Sequence, residues 1–97
     1  MDELVKLSSE TAIYYYYSTK HGYIFHREDG PAVEYTNGDE SWMINNNYHR
    51  VDGPAKIRSG KYEWYLDGEN MTFKEYLSRI DSEVAVEVAL KYSTKSS

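Results

Sequence analysis

One motif is written twice in this chain, and that constrains the fold more than anything else in it. His26-Arg27-Glu28-Asp29-Gly30-Pro31-Ala32 returns as His49-Arg50-Val51-Asp52-Gly53-Pro54-Ala55. The correspondence continues past the motif: Trp42 aligns with Trp64, Ile44 with Leu66, and Asn45-Asn46 with Asp67-Gly68. A short repeat of this kind is one supersecondary unit that buries its apolar face only by stacking on a neighbour. The two motifs are 23 residues apart and the two tryptophans 22, so the second copy is one residue shorter between them.

That missing residue falls in a turn. Asn37-Gly38 and Ser59-Gly60 are hairpin turn signals flanked by β-prone residues. A two-residue turn at Ser59-Gly60 places Ile57 opposite Tyr62, Lys56 opposite Glu63 and Ala55 opposite Trp64. Opposite charges facing across strands then help, while Arg58 opposite Lys61 is the weak point of that register. In the first copy, a three-residue turn with a bulge puts Ala32 opposite Trp42 and makes the two units equivalent. A two-residue turn would slip the register by one and flip every side chain.

Upstream, AIYYYYSTKHGYIF reads as a worn unit, with Tyr14–Tyr17 in one strand and Tyr23–Phe25 in the next. Downstream, Thr72 followed three residues later by Glu75 is a capping box, and Phe73, Tyr76, Leu77 and Ile80 then share a helical face. Asp81-Ser82 breaks this helix and can cap another. Residues 83–92 fit both a strand alternation and a helical stripe, and their Ala, Glu and Leu content favours helix. The expected architecture is α+β in one domain. A degenerate hairpin (11–25) and two clear antiparallel hairpin repeats (26–48 and 49–71) are closed by a helical cap of one or two helices (72–92), with a frayed tail (93–97).

Composition narrows the function classes. There is no cysteine, hence no disulfide framework, thiolate metal site or thiol nucleophile. No apolar run approaches the ~20 residues of a membrane span, and the acidic start lacks a secretory pattern, so a cytoplasmic location and no membrane partner are expected. Net charge is −5 with no basic stripe, so direct nucleic-acid binding is not expected.

The repeat pattern, HRxDGPA with a glycine turn and then W-Y-L-x-G, resembles short repeats in small proteins common in bacteriophage and bacterial genomes, grouped loosely with MORN-type repeat variants. The ending WYLDGENMTFKEYL also resembles theirs, and the likeness covers about residues 23–80. It implies a scaffold for protein contacts with no shared enzymatic activity. A phage-like origin implies an inhibitor that sterically occludes a host defence complex or nuclease.

The paired His/Asp motifs invite a catalytic reading: His26/Asp29 or His49/Asp52 could serve a small hydrolase or nuclease. Turn chemistry accounts for them better. Asp before Gly-Pro can accept backbone N–H bonds, and Arg or His can reach that carboxylate or stack on a nearby aromatic ring. An enzyme seldom needs its catalytic group once per structural repeat. With no metal-ligand spacing, nucleophile elbow or phosphate loop, no catalytic, metal or cofactor residues are assigned.

Eleven tyrosines remain, more than a small core needs. Tyr is enriched at binding surfaces, where it buries a large area with little entropy loss. The expected partner face is therefore Tyr-rich with an acidic rim: Tyr14, Tyr16, Tyr23 and Tyr35 with Glu34, Asp39 and Glu40. Its partner would be a host protein or protein–nucleic-acid complex. The alternative is an assembly protein, homo-oligomeric through exposed hairpin edges.

Overall fold

In the computed structural model, which describes residues 3–93, an antiparallel sheet is followed by two C-terminal helices. Ten strands come first: β1 (Leu4–Ser8), β2 (Ala12–Thr19), β3 (Gly22–Phe25), β4 (Val33–Tyr35), β5 (Glu40–Ser41), β6 (Met43–Ile44), β7 (Asn47–Tyr48), β8 (Lys56–Arg58), β9 (Lys61–Leu66) and β10 (Glu69–Met71). The helices are α1 (Phe73–Arg79) and α2 (Ser82–Tyr92). The main sheet runs β1-β2-β4-β5-β8-β9-β10, with β3 beside the far half of β2, and β6-β7 form a separate ribbon. No helix among the described residues is long and apolar enough to cross a membrane.

Both turn registers follow from the turn residues. Ser59 and Gly60 have φ of 53° and 78°, the left-handed pair of a two-residue hairpin, and β8–β9 pair as Ile57↔Tyr62 and Lys56↔Glu63. The Lys56–Glu63 pair closes to 3.9 Å. In the first copy, Tyr35 N–H donates to the Asp39 carbonyl and Gly38 takes φ 97°, a three-residue turn that bulges. Val33↔Ser41 and Glu34↔Glu40 then carry Ala32 opposite Trp42, and the units are equivalent.

Each unit is a three-stranded meander rather than a hairpin. After the tryptophan the chain turns again at Asn45-Asn46 (φ 49° and 69°) or Asp67-Gly68 (50° and 83°) and pairs back on itself. The worn unit has the same plan, since Tyr16↔Phe25, Met43↔Tyr48 and Tyr65↔Asn70 are equivalent pairs. Tyr15, Trp42 and Trp64 therefore occupy one position in three successive units. The worn unit also starts earlier than residue 11, because β1 pairs along β2 from Leu4↔Tyr17 to Ser8↔Ile13.

The core sits at the C-terminal end, where Trp64, Met71, Tyr76, Val88 and Tyr92 are buried together. Trp64 meets Phe73 at 4.6 Å, Tyr76 at 4.9 Å and Tyr92 at 5.5 Å between ring centroids. The Thr72 hydroxyl accepts from Glu75 N–H, half of a capping box; the other half is replaced by Glu75 reaching Arg79 at 3.7 Å. Asp81 caps α2 through the N–H groups of Glu83 and Val84, and residues 83–92 are helical. Of the expected tail only Ser93 is described, as the C-cap of α2; residues 94–97 lie outside the described residues.

Candidate functional site

The repeated motif builds a joint between units. The Arg27 guanidinium lies 4.0 Å from the Tyr15 ring centroid, and Arg50 lies 3.7 Å from that of Trp42, one unit back in each case. Each arginine donates from Nε to the aspartate two residues on (Asp29 at 3.2 Å, Asp52 at 2.9 Å). Each also donates from a terminal nitrogen to the carbonyl of Pro31 or Pro54. The motif aspartates thus hold the arginine side chain in place of the backbone N–H groups expected for a turn residue.

The glycines leave room for the arginines. A Cβ on Gly30 or Gly53 would come within 2.7 or 2.6 Å of the guanidinium carbon. Each arginine is therefore sandwiched between an aromatic ring of one unit and the bare backbone of the next.

The histidines reach forward. Asn45 N–H donates to His26 Nδ1 at 3.1 Å, and Asp67 N–H donates to His49 Nδ1 at 2.9 Å. Each imidazole holds the first residue of the following tight turn. With Nδ1 accepting, the ring proton of His26 is on Nε2, which donates to Glu28 at 3.2 Å.

The joint then stops. Met71-Thr72 occupy the place of His-Arg after the last unit: Met71 pairs with Trp64 as His49 does with Trp42, and Thr72 begins the helical cap. Aromatic side chains of α1 and α2 cover Trp64 where an arginine would have lain. Tyr76 is fully buried; its hydroxyl donates to the Arg50 carbonyl and accepts from Gly53 N–H at 3.2 Å, which fastens α1 to the second motif. Burial pushes its phenol up to about 12.

Between the two motifs lies a groove of about 480 Å³ lined by residues including His26, Trp42, Ile44 and His49. Both Nδ1 atoms that a general base would use are occupied by backbone donors. Among the described residues, no three His, Asp or Glu side chains are grouped to hold a metal ion.

The tyrosines divide. Tyr14 and Tyr16 lie on one face of β2, away from Tyr15. Tyr16 meets Tyr23 edge-on at 5.0 Å and Phe25 at 6.4 Å, and Tyr14 meets Phe25 at 6.2 Å. Leu7, opposite Tyr14, completes a shallow apolar groove of about 220 Å³ with these four rings. Val5, opposite Tyr16, extends the face. Tyr23 is 63% exposed and Leu7 52%. Polarity changes along this face: the place of Tyr14 is taken by Ser41 and then Glu63, and that of Phe25 by Tyr48 and then Asn70. Tyr65, in the position of Tyr16, is held above its ordinary range by burial and by the Glu63 carboxylate that accepts from its hydroxyl.

Tyr35, opposite Ala12, shares the sheet face of Tyr14 but sits toward the bulged turn, and Glu34, opposite Ile13, falls on the other face. Tyr35 lines a separate groove beside the bulged turn, with Asp39, Tyr48 and Lys56. The carboxylates have structural partners: Glu34 pairs with Arg27 at 3.4 Å, Glu40 accepts from Trp42 Nε1 at 2.8 Å, and Asp39 accepts from Ser59 N–H at 2.9 Å. They hold the sheet together instead of rimming the tyrosines. Val5, Leu7 and Phe25 are the additions that only the fold reveals.

Compared with protein-family models, curated proteins and solved structures, the chain matches none.

Proposed function

We propose that the chain is a non-enzymatic protein-binding module, and that its binding face is the aromatic corner formed by β1, β2 and β3. The observation that carries this reading is the change of polarity along the sheet face opposite the tryptophans. Where the later units place Ser41 and Glu63, the first places Tyr14, and where the last places Asn70, the first places Phe25. At the N-terminal end of that face four aromatic rings and two aliphatic side chains lie together. Tyr and Phe placed this way supply large, rigid contact area at low entropic cost. The resemblance to phage repeat proteins supplies the partner class: a host defence complex or nuclease, occluded sterically.

The test is a tagged capture from bacterial lysate, with untagged protein as competitor and Tyr16→Ser/Tyr23→Ser as the control. A stoichiometric partner released by competitor and lost in the double variant, while the far-ultraviolet melting curve keeps its cooperative form, supports the reading. A partner retained by the double variant overturns this placement of the face.

A further inference from the structure

The free edge of β1 carries a second inference, independent of the aromatic face. Ser9 N–H donates to the Ala12 carbonyl across the β1–β2 turn, and Tyr15 directs its carbonyl and N–H to His26 and Ala32, away from β1. Hydrogen-bonded pairs alternate along an antiparallel ladder. Val5 and Leu7 therefore bond inward to β2, whereas Leu4, Lys6 and Ser8 direct their N–H and C=O groups outward. All five residues of β1 are exposed.

Elsewhere the fold protects a comparable edge. Beside β3, the Asn46 side chain accepts from Phe25 N–H at 2.7 Å and donates to the Tyr23 carbonyl at 3.3 Å, standing in for a strand. Nothing among the described residues does this for β1.

We propose that β1 pairs antiparallel with β1 of a second copy about a two-fold axis at Leu7. Outward-pointing residues must face one another, which leaves few registers. An axis at Lys6 sets the two ammonium groups head-on, which is unfavourable. An axis at Leu7 instead matches Lys6 with Ser8 of the other copy, moves the two ammonium groups from directly opposite to diagonal positions, and stacks Leu7 on Leu7 in a close non-bonded pair. It also brings the two Leu7 side chains, each at the margin of its own aromatic groove, onto one shared face.

A junction between strands this short is smaller than the roughly 1,200–2,000 Å² of stable complexes, so association is weak and depends on concentration. The pairing makes the aromatic face bivalent, which raises avidity for a multivalent target without any new contact.

Sedimentation equilibrium tests the pairing. Weight-average mass should climb toward twice the monomer value between about 10 μM and 1 mM. Lys6→Pro should hold the chain at the monomer mass with its melting curve little changed, because proline at this position deletes an outward N–H and no bond to β2. A mass that stays monomeric throughout, or a dimer that survives Lys6→Pro, overturns the proposal.

The register is tested separately. The chain has no cysteine, so single thiols report cleanly. Leu7→Cys should cross-link on mild oxidation and Val5→Cys should not; the reverse result overturns the axis at Leu7. Capture of a partner by the Lys6→Pro monomer separates failure of this pairing from failure of the binding face.

Discussion

The guanidinium carbon of Arg50 lies 3.7 Å from the centre of the Trp42 ring and 2.6 Å from where a Cβ on Gly53 would stand. Arginine, tryptophan and glycine thus form one joint, and their energies are coupled. Arg50→Ala should cost about 2–3 kcal/mol, from the lost stack and two lost hydrogen bonds. Gly53→Ala should cost about 1–2 kcal/mol by pushing the guanidinium off the ring. In the Arg50→Ala background, Gly53→Ala should cost almost nothing. Urea unfolding of the four proteins gives the coupling energy directly; a coupling below about 0.5 kcal/mol would mean that the glycine is retained for some other reason.

Much of this joint was legible in the sequence, though not its partners. The two copies announced a repeat, and Ser59-Gly60 announced the second register, because turn chemistry is local; Asn37-Gly38 fits a two-residue turn as well as a bulge, and only equivalence of the two units favours the bulge that forms. That Arg27 would reach Tyr15 and Arg50 would reach Trp42 depended on how units stack, which the spacing of one motif does not reveal. Strand β1 was missed because Leu4, Val5 and Leu7 do not alternate and the connection Ser9–Thr11 contains no glycine. The missing strand hid Val5 and Leu7 from the candidate face. The grouping of Tyr14, Tyr16 and Tyr23 was readable from strand alternation. Tyr35 shares the face of Tyr14 but lines another groove, and Glu34, Asp39 and Glu40 meet other partners, because proximity in sequence to a turn says nothing about which neighbours a side chain meets. Met71-Thr72 stand one period after His49-Arg50 and mark in the sequence where the array ends.

Tyr76 makes the closure of the array sensitive to high pH. Burial raises its phenol from 10.0 to about 12. The folded chain holds this proton more tightly than the unfolded chain does. The stabilisation is therefore complete below pH 10 and is lost as the pH rises from 10 to about 12. The shift is worth about 2–3 kcal/mol. Tyr76→Phe should cost about 1–3 kcal/mol at neutral pH, since the Arg50 carbonyl and Gly53 N–H lose their shared partner. The gap between wild type and variant, measured by denaturant unfolding from pH 8 to 12, should narrow over the alkaline range. A constant gap would show that the hydroxyl is not the group titrating.

The histidines give the sharpest separation of an architectural role from a catalytic one. His26 Nδ1 accepts from Asn45 N–H in a partly buried setting, whereas the His49–Asp67 bond is exposed. Removing an acceptor costs more where water cannot replace it. His26→Ala should therefore destabilise by about 2 kcal/mol and His49→Ala by about 1 kcal/mol or less. Asparagine carries its carbonyl oxygen as many bonds from the backbone as histidine carries Nδ1, but it cannot act as a general base. His26→Asn should recover at least half of the stability lost in His26→Ala, and His49→Asn should behave likewise. Thermal melts of the four variants, read beside partner capture, decide the matter. If both asparagine variants fold like wild type and still bind, the repeated histidine serves the turn it holds. If they fold normally but lose an activity, that activity depends on the imidazole and the architectural role is not sufficient.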